Sequence, residues 1–277
     1  MEVCRREVPL GELIFVGLGL FDEGDISLKG LEAVRGADQV YIELYTSLMG
    51  GFSIGRFERF IGRKVTSVSR RVLEDEGGKV ILEGAERGRV VLLVPGDPLI
   101  ATTHIDLRIR AEKRGIRTRI IHGASILSAA IGLSGLQNYR FGKSVTIPFP
   151  YKGRISETPY DVIKENKARE LHTLCFLDIR AEEERFMTIS EALRILLNLE
   201  EKRGEETLTD ESLAVGIARA GSKDVRVKAS YVKELLQYNF GPAPHTLIIP
   251  SERLHFMEAE ALINLAGAPE EVRGMVR

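Results

Sequence analysis

The chain has 277 residues, of which 44% are hydrophobic and 29% charged, an ordinary globular composition that excludes an intrinsically disordered chain. A formal net charge of -1 leaves no whole-molecule field to draw it to nucleic acid or to an anionic membrane. The two cysteines, Cys4 and Cys175, make no disulfide framework or zinc pattern, and no apolar run approaches the roughly 20 residues of a membrane span, so a cytoplasmic protein is expected.

From Leu13 short apolar runs alternate with segments of helical period, the mark of α/β architecture. Runs at 13–20, 39–44, 64–69, 89–95 and 116–123 read as strands, and the first and fourth, apolar almost throughout, suit central parallel strands covered on both faces. Between them Leu28, Leu31 and Val34 recur at helical spacing before Gly36, which can take the left-handed position, and Ile54, Phe57 and Ile61 repeat the design before Gly62. Further helices are expected at 79–87 and from about Thr103 to Arg114; the basic stretch 108–119 reads as the solvated face of that helix and the strand after it. These elements close a first domain at 1–140 with a parallel sheet, in which 1–12 is an extension.

The second domain, 141–277, uses other punctuation. A strand at 141–150 ends in prolines, Thr158 caps a helix with Pro159 at its first position, and 172–179 is a strand. "TISE" at 188–191 is a capping box for a helix with a stripe of Leu193, Leu196 and Leu197 that ends at Gly204. Strands at 213–220, 225–230 and 245–251, with helices near 231–240 and 254–266, complete a second α/β domain with a mixed sheet, and a cleft is available between the two.

The first strand ends "GLGLFDEGD", a glycine pair without the third glycine of the dinucleotide fingerprint, whose place Asp22 takes; Glu43 stands where a ribose-binding acid would lie. "VPGDPLIATTH" at 94–104 sets Asp97 between two prolines at a strand end, where open α/β sheets bind ligands, although an aspartate there can equally stabilise the turn through its own backbone. In "HGASIL" Ser125 either caps a helix or presents N–H groups to an anion. His104, His122, His172 and His255 read as structural or surface residues. His245, placed after two prolines at the entry of an apolar strand, is either aimed at the cleft or a satisfied strand-end histidine. No histidine pair shares a helix face, so no metal is assigned, and no nucleophile elbow or Walker loop supports a hydrolase or a nucleotide triphosphatase.

The stretches "FVGLGLFDEGDISLKGLEAV", "VPGDPLIATTHIDLRIRA", "HGASILSA", "LHTLCFLDI", "IARAGS" and "FGPAPHTLIIPSERLHFMEAEAL" resemble, in order and with compatible spacing from Leu13 to about Ala268, the archaeal-type diphthine synthase family. The resemblance implies the tetrapyrrole methylase fold, two α/β domains with S-adenosylmethionine in the cleft between them. It further implies transfer of three methyl groups to the amine of the 3-amino-3-carboxypropyl arm on a histidine of translation elongation factor 2, and a homodimer. The family's cofactor contacts match Leu20, Asp97, Ile100, Ser125 and Ile126 on one side and Leu177, Ala220 and His245 on the other. Methyl transfer to an amine whose reference pKa is about 8 requires alignment more than a strong base, so no catalytic acid or base is assigned. Tyr45, Tyr151 and Tyr160 are candidates for an aromatic face beside the methylated cation. The rival readings are a corrin or porphyrin methyltransferase of the same fold, a nicotinamide-dependent oxidoreductase, and a binding module without turnover.

Overall fold

The computed structural model describes residues 11–276, so Cys4 and all but the end of the N-terminal extension lie outside the described residues. The chain divides into two compact units, Met1–Ser125 and Ile126–Arg277.

In the first unit the elements run β1 (Glu12–Gly17), α1 (Leu28–Arg35), β2 (Gln39–Ile42), α2 (Ile54–Ile61), β3 (Thr66–Ser67), α3 (Lys79–Arg87), β4 (Arg89–Val94), α4 (Ile105–Lys113) and β5 (Arg117–Ile121). They form a parallel sheet of order β3-β2-β4-β1-β5. β4 and β1, which with β2 are the inner strands, carry side chains from Val90 to Val94 and from Leu13 to Val16 that are apolar on both faces and wholly buried. Each such side chain contributes about 1.5–3 kcal/mol through burial. β5 alternates between exposed and covered positions, as an edge strand must. Glu12, at the buried start of β1, is held by Arg89 Nε at 3.0 Å and Arg117 Nη2 at 2.7 Å, so part of the basic stretch is paired rather than merely solvated.

Two details of the helices differ from expectation. Leu28 is exposed, and α1 instead buries Gly30, Ala33 and Val34, since a side chain at Gly30 would meet Val16 at 2.8 Å. Gly36 closes α1 at φ -90°, whereas Gly62 after α2 does take the left-handed conformation, at φ 74°. A π-helical turn at Arg71–Asp75, which no periodicity announced, precedes α3.

The second unit contains α5 (Ile126–Ser134), β6 (Val145–Ile147), α6 (Thr158–Ala168), β7 (Thr173–Leu177), β8 (Ile179–Arg180), β9 (Arg185–Phe186), α7 (Ile189–Arg203), β10 (Leu213–Ala218), β11 (Arg226–Tyr231), α8 (Val232–Leu235), β12 (His245–Ile249) and α9 (Phe256–Ala266). Its main sheet has the order β11-β10-β12-β7-β6, with only β6 and β7 parallel, and β8 and β9 form a separate hairpin. The Thr188–Glu191 capping box opens α7 and Gly204 ends it in the left-handed conformation. At α6 the cap is Glu157 and makes no side-chain bond, so Thr158 is the first helical residue. α8 is one turn long, shorter than its sequence span implied.

The boundary falls after Ser125 rather than near residue 140, because the segment from α5 to Arg140 packs into the second unit. Gly135 sits where a Cβ would come within 2.4 Å of Ala261, the Gln137 N–H donates to Glu258 Oε1 at 3.0 Å, and Arg140 Nη1 meets Glu258 Oε2 at 2.5 Å.

Candidate functional site

The carboxyl ends of β1, β4 and β5 converge through glycines. A Cβ on Gly17 would stand 2.5 Å from the Gly96 carbonyl oxygen and from the Gly123 nitrogen, and one on Gly123 would stand 2.4 Å from the same oxygen, so three backbones meet where no side chain fits. Gly19 and Gly96 exchange backbone hydrogen bonds, Gly96 N–H to Gly19 O at 2.7 Å and Gly19 N–H to Gly96 O at 3.2 Å. The loop after β1 is gathered by Asp25, whose Oδ2 accepts from the N–H groups of Leu20, Phe21 and Asp22 at 3.2, 2.7 and 3.3 Å. An aspartate thus shapes the turn, and the close approach of helix to strand falls to Gly30 in α1.

Asp97 is buried at this junction. Its Oδ1 accepts from the Leu99 N–H at 3.2 Å, the turn-stabilising bond that the sequence left open, and its Oδ2 lies 2.6 Å from His122 Nδ1. His122, expected as a structural or surface residue, is a partner of Asp97 and keeps most of its own side chain exposed. Ile100 is exposed and Ala101, at φ 56°, holds the loop in a backbone conformation that non-glycine residues seldom adopt. Leu20 and Ser125 are half-buried at the rim.

Among the second-unit candidates, Ile126 opens α5 half-buried, and Leu177 is buried at the end of β7, followed by Asp178, whose carboxylate accepts from the Phe149 and Ile179 N–H groups at 2.8 and 2.9 Å. Ala220 is buried beside Arg219, whose guanidinium donates to the carbonyls of Phe240, Pro242 and Asp224 at 2.7, 2.8 and 3.0 Å and so fixes the "FGPAP" loop. His245 is engaged at both ring nitrogens: Nδ1 accepts from the Ile189 N–H at 3.4 Å and Nε2 donates to the Gly241 carbonyl at 3.1 Å. Burial, first among its influences, lowers its pKa below the ordinary histidine value, in keeping with a ring that donates from one nitrogen and accepts at the other.

The family model described as Tetrapyrrole (Corrin/Porphyrin) Methylases matches residues 12–236. A diphthine synthase of Methanosarcina mazei is 54% identical over 265 residues, covering 94% of this chain and 98% of that protein. The chain belongs to the diphthine synthase family. A second member, from Methanocella arvoryzae, is 51% identical over 255 residues, 92% of this chain and 98% of its own. A crystal structure of diphthine synthase, 45% identical, superposes with a TM-score of 0.87 over 96% of this chain and 100% of that one.

Seen as a diphthine synthase fold, the three tyrosines separate. Tyr160 is wholly buried, with its hydroxyl on Glu200 at 2.7 Å and Arg203 over its ring, and Tyr151 is exposed, with Lys152 over its ring. Tyr45 lines a cavity. Among the described residues no group of three His, Cys, Asp or Glu side chains could hold a metal ion, and no helix is long and apolar enough to cross a membrane.

Proposed function

We propose that this chain is a diphthine synthase that transfers three methyl groups from S-adenosylmethionine to the amino group of the 3-amino-3-carboxypropyl-histidine of translation elongation factor 2, forming diphthine in the second step of diphthamide biosynthesis. The observation that carries this reading is the 54% identity to a protein of that name across 94% of the chain. The geometry of the loop cluster supports a cofactor site there. Gly96 carries no side chain, and a Cβ there would find its nearest neighbour only at 4.0 Å, so the backbone is open to a ligand. Asp97 beside it is a buried carboxylate at the strand end where α/β sheets take ligands.

The residues proposed to contact the cofactor are Leu20, Asp97, Ile100 and Ser125 in the first unit, with Ile126, Leu177, Ala220 and His245 in the second. Asp97, held by Leu99 and His122, offers a fixed anion for the cofactor's polar groups, and exposed Ile100 offers apolar surface for its less polar parts. His245 acts by fixing the loop at 241–244, or through its backbone, because both ring nitrogens are committed. When bound, the cofactor supplies a sulfonium methyl that a neutral amine takes in line, so positioning is the main demand on the protein. We propose further that it works as a homodimer in the cytoplasm, where its elongation-factor substrate acts.

The test is incubation with S-adenosylmethionine and elongation factor 2 bearing the aminocarboxypropyl histidine, followed by mass spectrometry of the modified peptide. The expected product carries three methyl groups on the amine; a fourth, on the carboxylate as an ester, would extend the activity. An unmodified peptide in the presence of bound cofactor overturns the substrate and keeps the fold.

A further inference from the structure

One pocket of the first unit combines burial with unused polar atoms. Glu43, just past β2, is wholly buried, and its Oε2 accepts from the Tyr45 and Thr46 N–H groups at 3.0 and 3.1 Å while the Thr46 hydroxyl donates to Oε1. Oε1 also lies 3.4 Å from His104 Nε2, an ion-pair distance without hydrogen-bond geometry. Tyr45 and His104, 7% and 3% exposed, line a cavity of about 160 Å³ with Leu73 and Leu107 as its apolar wall and Glu74 and Asp106 at its mouth. Both ring nitrogens of His104 have no hydrogen-bond partner among the described residues, and the Tyr45 hydroxyl, which makes no bond of good geometry, stands beside the Thr103 and Glu74 side chains.

An unsatisfied buried polar atom costs about 1–3 kcal/mol, so three around one cavity point to an occupant that completes them. Whole-ligand pockets run to about 300–1,000 Å³, so a cavity of about 160 Å³ admits one side-chain-sized group and not the cofactor. Its charges favour a cation. Glu43 is buried behind His104 and Glu74 stands at the mouth; Asp106 is already paired with Arg110 at 2.6 Å, and Arg70 lies over the Tyr45 ring at 5.1 Å. Burial first, then the Glu43 and Glu74 carboxylates, raise the Tyr45 hydroxyl above its ordinary value, so it stays protonated. The place is also right. The Glu43 N–H donates to the Leu93 carbonyl at 3.1 Å, so the backbone that carries Glu43 runs beside the end of β4, the strand that leads into the Asp97 loop.

We propose that this pocket is the acceptor subsite: it receives the amino end of the aminocarboxypropyl arm, and His104, backed by Glu43, takes the ammonium proton before each transfer. The proposal rests on the function given above. Glu43 favours the proton on Nε2, which leaves the Nδ1 lone pair free. The ammonium gives its proton to Nδ1, and the nitrogen lone pair forms the new C–N bond. The C–S electron pair stays on sulfur, which becomes a neutral thioether, and the imidazolium then releases its proton to solvent at the pocket mouth. Three transfers need three such deprotonations. An amine with a reference pKa of about 8 is mostly protonated at neutral pH, and this is where a base helps. The sequence had offered Tyr45 only by its loop position and had treated His104 as structural.

The test compares wild type with His104→Asn and Tyr45→Phe on the modified elongation factor from pH 7 to pH 9.5, with cofactor affinity by calorimetry alongside. His104→Asn is expected to lower kcat/KM about 30-fold at pH 7 and only about threefold at pH 9.5, where the amine arrives neutral, with unchanged cofactor affinity. Tyr45→Phe is expected to raise the acceptor KM several-fold. A deficit of the same size at every pH assigns His104 a structural role and overturns the proposal, as does the absence of any deficit, which would make the pocket a water site. Tetramethylammonium binding, followed by NMR in wild type and in Tyr45→Leu, reads the pocket without turnover. Binding lost in the variant supports a cation subsite, and no binding to wild type overturns it. Wild type that binds tetramethylammonium but leaves the elongation factor unmodified refutes the substrate and leaves the cation pocket standing.

Discussion

Asp97 has one oxygen on the Leu99 N–H and the other on His122, so its side chain both shapes its turn and remains a charge at the sheet's carboxyl edge. The two roles separate in Asp97→Ala. We expect the S-adenosylmethionine dissociation constant to rise about tenfold, roughly 1.4 kcal/mol by calorimetry, with about 1 kcal/mol lost from unfolding stability. Lost stability with unchanged affinity would leave Asp97 as a turn residue only. His245 shows the converse. Its position after two prolines is legible in the sequence, but whether its ring meets a ligand depends on Gly241 and Ile189, and the latter lies 56 residues away in the chain. The same holds for Tyr45 and Tyr160: both are aromatic residues near loops, and only packing sends one to a cavity and the other into the core.

At the scale of elements, helix and strand limits followed local chemistry where that chemistry was strong. The Thr188–Glu191 capping box, the left-handed Gly62 and Gly204, and the apolar runs of β1 and β4 are each determined within a few residues. The close approach of three strand ends was not legible, because it joins Gly17, Gly96 and Gly123 from three separate segments. Gly123→Ala would place a Cβ 2.4 Å from the Gly96 carbonyl oxygen, and backbone cannot yield as a flexible side chain does. We expect a loss of about 3 kcal/mol in denaturant unfolding together with weaker cofactor binding. Gly132, in α5, has nothing within 4 Å of such a Cβ, so Gly132→Ala should instead raise stability by about 0.5–1 kcal/mol through helix propensity. Equal effects of the two changes would show that the glycine junction is not tightly packed.

At the scale of the whole chain, the second unit is tied together by a buried acid. Glu258 accepts from His172 Nε2 at 2.9 Å, from the Gln137 and His255 N–H groups at 3.0 and 2.9 Å, and from Arg140, linking segments more than a hundred residues apart. The Ser251 N–H donates to His172 Nδ1 at 2.9 Å, which orients the ring so that its Nε2 faces the carboxylate. Burial pushes the Glu258 carboxyl up, but the hydrogen bonds from His172 and from the Gln137 and His255 N–H groups outweigh it and hold it down at about 2 against an ordinary 4.5. A carboxyl depressed on folding contributes stability above its unfolded pKa and loses it as pH falls, so a contribution on the order of 3 kcal/mol should fade between about pH 4.5 and pH 2. Glu258→Gln should flatten that part of the stability–pH curve measured by urea unfolding, and an unchanged acid limb would refute the assignment. The sequence by itself determined the α/β class, most helices and strands, the family and the place of the Gly96–Asp97 turn, because each is written in short-range periodicity, caps and contiguous motifs. Tertiary structure decided the boundary after Ser125, the pairing of Asp97 with His122, the internal use of His245 and the Glu43–Tyr45–His104 pocket. Each of these depends on side chains brought together from distant segments, and the burial and hydrogen-bond partners that settle a side chain's role exist only once the chain has folded.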